Sequence, residues 1–172
     1  MLTKKQINWI NHLSDIDKVT IVPFDPSAKE KYLVVKKRIH SELGSEYPVL
    51  HCGATSLGIS GQNEIDIYIP VEPSKFNSLI KPLISIFGEP KSLYPLERAR
   101  FVTKEAGKHI DVFLINSQSD GWLKGVKFEN YLKSHKQALN KYRKLKEDGN
   151  GLSVKEYYKR KVEFINEILA RK

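Results

Sequence analysis

Apolar positions recur along this chain at two periods, and the period changes from segment to segment. Over 27–43, Ala28, Tyr32, Val35, Ile39 and Leu43 fall three to four apart, the spacing of one helical stripe, and Gly44 supplies the stop. The segment 3–13 predicts a short helix. Over 74–87 the helical period returns, with Ser74 as N-cap, Gly88 as terminator and Pro82 expected to bend or shorten it. Period two marks EIDIYIPV, 64–71, as a strand. VTIVP, 19–23, and PVLHC, 48–52, are β-branched or apolar runs and read as two further strands. RFVTK, 100–104, and KHIDVFLI, 108–115, flank Glu105-Ala106-Gly107 and predict a hairpin. The small, polar GATSLGISGQN, 53–63, reads as a loop.

Beyond Trp122 the pattern is helical. Residues 128–147 predict one helix or a bent pair, with Phe128, Leu132, Ala138, Tyr142 and Leu145 inward. Gly149-Asn150-Gly151 breaks it, and 153–170 forms a last helix with Val154, Tyr157, Tyr158, Val162, Ile165 and Leu169 on one face. The order is therefore mixed α and β first, then all α. The 172 residues fit a single domain, with an α/β core over 1–123 and basic helices over 124–172.

Charge sharpens that division. Residues 1–123 carry 15 basic and 14 acidic side chains, whereas 124–172 carry 14 and 6. An excess so placed suits an anionic partner such as RNA or another polyanion, although Lys133, Lys136, Lys141, Arg143, Lys144 and Lys146 also fit a solvated helical face. One cysteine, Cys52, excludes a disulfide framework and a CxxC zinc site. No apolar run is long enough for a membrane span, and Asn11 and His12 interrupt MLTKKQINWINHL before it can read as a secretory signal. A cytoplasmic location is the expectation.

The chemistry concentrates in Glu64-Ile65-Asp66-Ile67. On a strand, Glu64 and Asp66 share a face while Ile65 and Ile67 enter the core. Asp111 has the same setting between Ile110 and Val112. If the two strands are neighbours, three carboxylates converge, and they repel one another unless a cation sits among them. Such a set suits one or two Mg²⁺ or Mn²⁺ ions that keep places for phosphate oxygens. A lone E-x-D is usually just a polar strand face. Here it lies in the most apolar part of the chain and follows a Gly-rich turn able to bring backbone N–H groups close to an anion.

These residues resemble a known family. Gly53-Ala54, then Glu64-x-Asp66, then Asp111 between apolar residues resembles the signature of the polymerase-β-type nucleotidyltransferase superfamily. The closer resemblance, over nearly the whole chain, is to its GrpB-like family. Phe24-Asp25-Pro26 is similar to that family's Tyr-Asp-Pro, and HCGATSLGISGQNEIDIYI to its H-x-G-S-T…I-D-I block. FENYLKSHKQALNKYRKLK is similar to its F-R-D-Y-L-R-x-H-P helix, and Tyr157, Lys161, Phe164 and Ile165 to its last motif. The resemblance implies an α+β fold, a nucleotidyltransferase-like mixed sheet packed on helices with C-terminal helices closing one side. It also implies Mg²⁺-dependent transfer of an NMP group from a nucleoside triphosphate to a hydroxyl acceptor. Glu64, Asp66 and Asp111 would hold metal, with Asp111 nearest the attacking hydroxyl, and Gly53, Ala54 and Thr55 would meet the triphosphate.

The chain departs from the pattern in both directions. Ala54 replaces a Ser and Gln62 a usual Lys, which favours a catalytically silent nucleotide- or RNA-binding module. Glu64 and Asp111 stand where many relatives lack a carboxylate, which favours catalysis. Arg98, Arg100 and Lys161 are the expected phosphate contacts. His51, His109 and His135 read as structural residues, His135 at the bend of the long helix. An enzyme that modifies polycationic small molecules is disfavoured by the basic last third.

Overall fold

The computed structural model describes residues 1–171, and among them the chain forms seven helices and five strands. In chain order these are α1 (Lys4–Asn11), α2 (Ala28–Leu43), β1 (Leu50–Cys52), α3 (Gly53–Ser56), β2 (Glu64–Val71) and α4 (Pro73–Phe87). They continue with β3 (Ser92–Tyr94), β4 (Arg98–Glu105), β5 (Lys108–Asn116), α5 (Asp120–Ser134), α6 (Lys136–Asp148) and α7 (Val154–Leu169). None of these helices is long and apolar enough to cross a membrane.

The strands make one mixed sheet in the order β1-β2-β5-β4-β3. β2 and β5 are parallel neighbours, and the other pairings are antiparallel. Period-two burial on β2 sends Ile65, Ile67, Ile69 and Val71 to one face. There they join Ile110, Val112, Leu114, Ala99 and Phe101 from the adjoining strands. α2 covers this face with Val35 and Ile39, and α4 with Phe76, Leu79 and Leu83. Burying that much branched apolar surface is the main stabilising term. It carries α4 through Pro82 without shortening, although the proline contributes no N–H to the helix.

The chain divides into two compact units. One comprises residues 24–58 and 63–123 and holds the sheet with α2 and α4; the other gathers residues 1–23, 59–62 and the chain from Lys124 on. In the second unit Phe128, Tyr142 and Phe164 pack edge-on and stacked at 5.2–6.3 Å. The long helical stretch is a bent pair broken at His135, whose ring stacks on Tyr131 at 3.8 Å and bonds the Tyr131 carbonyl.

Several expectations are corrected. VTIVP is no strand: Lys18 and Val22 make isolated bridges to Ser153 and Gly61, and Val19 exchanges bonds with Leu152 and Gly151. Its backbone is satisfied by loops, which removes the need for a sheet edge. Residues 53–56 are a short helix rather than loop, and β3 lies in a stretch that reads as turns. The N-cap of α4 is Glu72 rather than Ser74, because Pro73 takes the first turn, where a missing N–H costs nothing. Lys146 does not belong to a solvated face. It is 4% exposed, with its ammonium 3.4 Å from the Tyr157 hydroxyl and over the Tyr142 ring.

Candidate functional site

The sheet face away from α2 and α4 carries the polar residues of β2 and β5. Asp66 pairs in register with Asp111, and Glu64 with His109, so the parallel pairing stacks four titratable side chains in two rows. Glu64, His109 and Asp111 each offer a ligand atom within 4.8 Å of the others. Asp66 stands one pleat along, with its carboxylate against Gly53. Gly53 has φ +75°, a conformation that costs other residues energy, and a Cβ there would collide with that carboxylate. The first residue of α3 is therefore glycine for two independent reasons.

Asp111 is only 5% exposed, and its charge is met by a guanidinium. Arg100, on β4, donates from Nε to Oδ1 at 2.9 Å and from Nη2 to Oδ2 at 3.2 Å. This two-point fork is the strong form of a charge-assisted bond. The bonds to Asp111 hold the Arg100 pKa above its ordinary value against the cost of burial, and the charges of Asp111, Glu64 and Asp66 add to them. His109 Nε2 lies 3.2 Å from the same Oδ1.

The expected phosphate contacts are dispersed. Arg100 is engaged by Asp111. Arg98 lies over the rings of Tyr94 and Phe113, at 5.2 and 5.9 Å. Lys161 belongs to the helical unit and sits over Tyr158 at 5.2 Å. Ala54 and Thr55 follow Gly53 on α3, and the Thr55 hydroxyl is 2.9 Å from His51 Nε2. His51 also stacks on Tyr32, centroids 4.8 Å apart.

Two polar groups stand out that the sequence pattern does not mark. The i, i+2 spacing that joins Glu64 to Asp66 equally joins His109 to Asp111. Asp25, noted only as part of Phe24-Asp25-Pro26, accepts from Lys31 Nζ (2.8 Å) and the Ser27 hydroxyl (2.6 Å). It also faces the buried Lys108 at 3.6 Å. The hydrogen bonds from Lys31 and Ser27 hold its carboxyl well below the usual carboxylate range. Lys108 donates to Asn63 Oδ1 at 2.7 Å, so this cluster ties the start of α2 to the residue preceding β2. Nothing local in the sequence links residues 25, 63 and 108.

Fold and site together define an α+β protein whose mixed sheet gathers carboxylates, an imidazole and an arginine on one face. The family model for GrpB protein matches residues 18–171, and the chain belongs to the GrpB family. The crystal structure of conserved protein GrpB from Enterococcus faecalis aligns with a TM-score of 0.67 at 20% identity, over 87% of this chain and 96% of that one. The two share a fold. A ternary P/T complex of Leishmania infantum polymerase beta aligns with a TM-score of 0.39 at 16% identity, over 80% of this chain and 58% of that one, too slight a likeness to assign a fold. No curated protein matches the sequence.

Proposed function

We propose that the chain is a divalent-cation-dependent nucleotidyltransferase, moving an NMP group from a nucleoside triphosphate to a hydroxyl acceptor. The observation that carries this reading is the convergence of Glu64 and Asp66 on β2 with Asp111 on β5, the last two in register. Carboxylate oxygens suit Mg²⁺ or Mn²⁺, and the close donor atoms at Glu64, His109 and Asp111 fit such an ion. Glu64, Asp66 and Asp111 would hold such a cation, which would supply charge to offset the triphosphate and a lowered pKa for an acceptor hydroxyl. The small residues Gly53 and Ala54, with Thr55, let the phosphates come close to the backbone. Arg98 and Arg100, on β4 beside the carboxylates, are the cationic groups assigned to them. Asp111 is the carboxylate assigned to the side of the attacking hydroxyl. The new bond to the α-phosphorus forms in line as the bond to pyrophosphate breaks. The basic helices α5–α7 take RNA or another polyanion as partner.

One observation favours a second reading, a catalytically silent nucleotide- or RNA-binding module. The Arg100 fork already occupies both oxygens of Asp111, as a permanent internal cation would. Calorimetric titration of each NTP with MgCl₂ into the wild type and Asp66→Asn separates the two. The asparagine keeps the volume and removes one charge, so Mg²⁺-dependent affinity should be lost while the fold survives. Equal affinities would transfer the conclusion to the silent module.

A further inference from the structure

The three carboxylates on β2 and β5 are not the set whose donor atoms lie closest. That set is Glu64, His109 and Asp111, within 4.8 Å of one another, while Asp66 is turned against Gly53. Donors around a first-row cation sit about 3 to 3.5 Å apart, so small side-chain rotations would complete this trio. Backbone hydrogen bonding already holds their positions. Glu64 is the register partner of His109 across a parallel pair, and His109 shares a face with Asp111 two residues on.

At Asp111 a cation already stands in the way. Arg100 covers both Asp111 oxygens, and the His109 ring shares one of them. A metal ion cannot take a carboxylate oxygen while a guanidinium N–H points at the same lone pair. The guanidinium charge also repels a metal ion placed beside it. The Arg100 side chain is 37% exposed, against 7% for Asp111, so the arginine has solvent to swing into and the aspartate does not.

Resting on the metal-dependent reading above, we infer that the divalent cation is held by Glu64, His109 and Asp111 and enters by displacing Arg100 from Asp111. The imidazole donor favours Mn²⁺ or Zn²⁺ over Mg²⁺, which prefers oxygen ligands. A triphosphate offers the released fork a new anion. Metal and nucleotide therefore bind cooperatively, each lowering the cost of the other.

The test is titration of the intact chain with MnCl₂, following the electron paramagnetic resonance of the free hydrated ion, with MgCl₂ as competitor. Arg100→Gln removes the competing charge and should bind Mn²⁺ at least about tenfold tighter than wild type, the scale of losing one charge-assisted fork. Arg100→Lys keeps a charge but not the fork, and should tighten binding less; it also serves if the glutamine variant does not fold. His109→Ala should weaken Mn²⁺ binding about tenfold and erase the preference over Mg²⁺. Asp66→Asn should leave binding of Mn²⁺ alone unchanged, its effect being confined to titrations with nucleotide, where a further cation travels on the triphosphate. Unchanged affinity in both Arg100 variants overturns the displacement. Loss of Mn²⁺ in Asp66→Asn but not in His109→Ala overturns the donor set and leaves the three-carboxylate reading standing. No Mn²⁺ binding by any variant, Arg100→Gln included, overturns both.

Discussion

Asp25 shows how much a single carboxylate can organise. It accepts from the backbone N–H and hydroxyl of Ser27 and from Lys31 at the start of α2, and it faces the buried Lys108 on β5. Its pKa is held well below the ordinary range, first by the hydrogen bond from Lys31 and then by Ser27. A depressed folded pKa stabilises the native state above the unfolded value of about 4, and that contribution drains away as pH falls below it. Asp25→Asn should therefore cost about 1.5–3 kcal/mol at neutral pH, the range for hydrogen bonds to charged groups. The difference from wild type should shrink when urea unfolding is repeated at pH 3; an equal difference at pH 3 and pH 7 would refute this assignment. At Asp66 the residue scale works by exclusion instead, since its carboxylate leaves no room for a side chain at Gly53.

At the scale of elements, local pattern and structure agree best where one face of an element is buried. The bounds of β2 coincide with the alternating run 64–71, and α2 with the stripe from Ala28 to Leu43. They part where burial is not the deciding force. VTIVP has the composition of a strand but finds its partners in loops, and α4 ignores its proline because its buried face outweighs one missing bond. The β4–β5 connection is tighter than the three residues expected. Glu105 pairs with Lys108, leaving Ala106 and Gly107 with φ of 46° and 77°. Both values are positive, as in a type I′ turn, which favours Asn-Gly. An alanine there is strained by about 1 kcal/mol. Ala106→Asn should raise stability by about 0.5–1 kcal/mol, visible as a higher melting temperature in calorimetry. A lower one would mean that the turn relaxes in solution.

For the whole molecule, the charge asymmetry survives in the structure with qualification. Lys133 and Lys144 pair with Glu129 and Asp148 one turn away, and Lys146 is buried. Lys136, Lys141 and Arg143 are exposed. If these face RNA, affinity for a single-stranded oligonucleotide should fall with salt, and each contacting cation replaced by Glu should lower the log–log slope by about 0.7. Binding independent of salt would remove RNA as a partner. The residues of the helical unit come from three separate stretches of the chain, which a single division near residue 123 does not convey. By itself the sequence determined the alternation of β2, the stripe of α2, the hairpin and the shared face of Glu64 and Asp66. All of these follow from periods of 2.0 and 3.6 acting within a few residues. Only the tertiary structure decided that β5 lies parallel to β2 with Asp111 beside Asp66, that Arg100 closes on Asp111, that His109 joins Glu64, and that Lys108 reaches Asp25. Each is a choice of neighbour between segments far apart in sequence. Such choices depend on which apolar faces bury one another, and no local period records them.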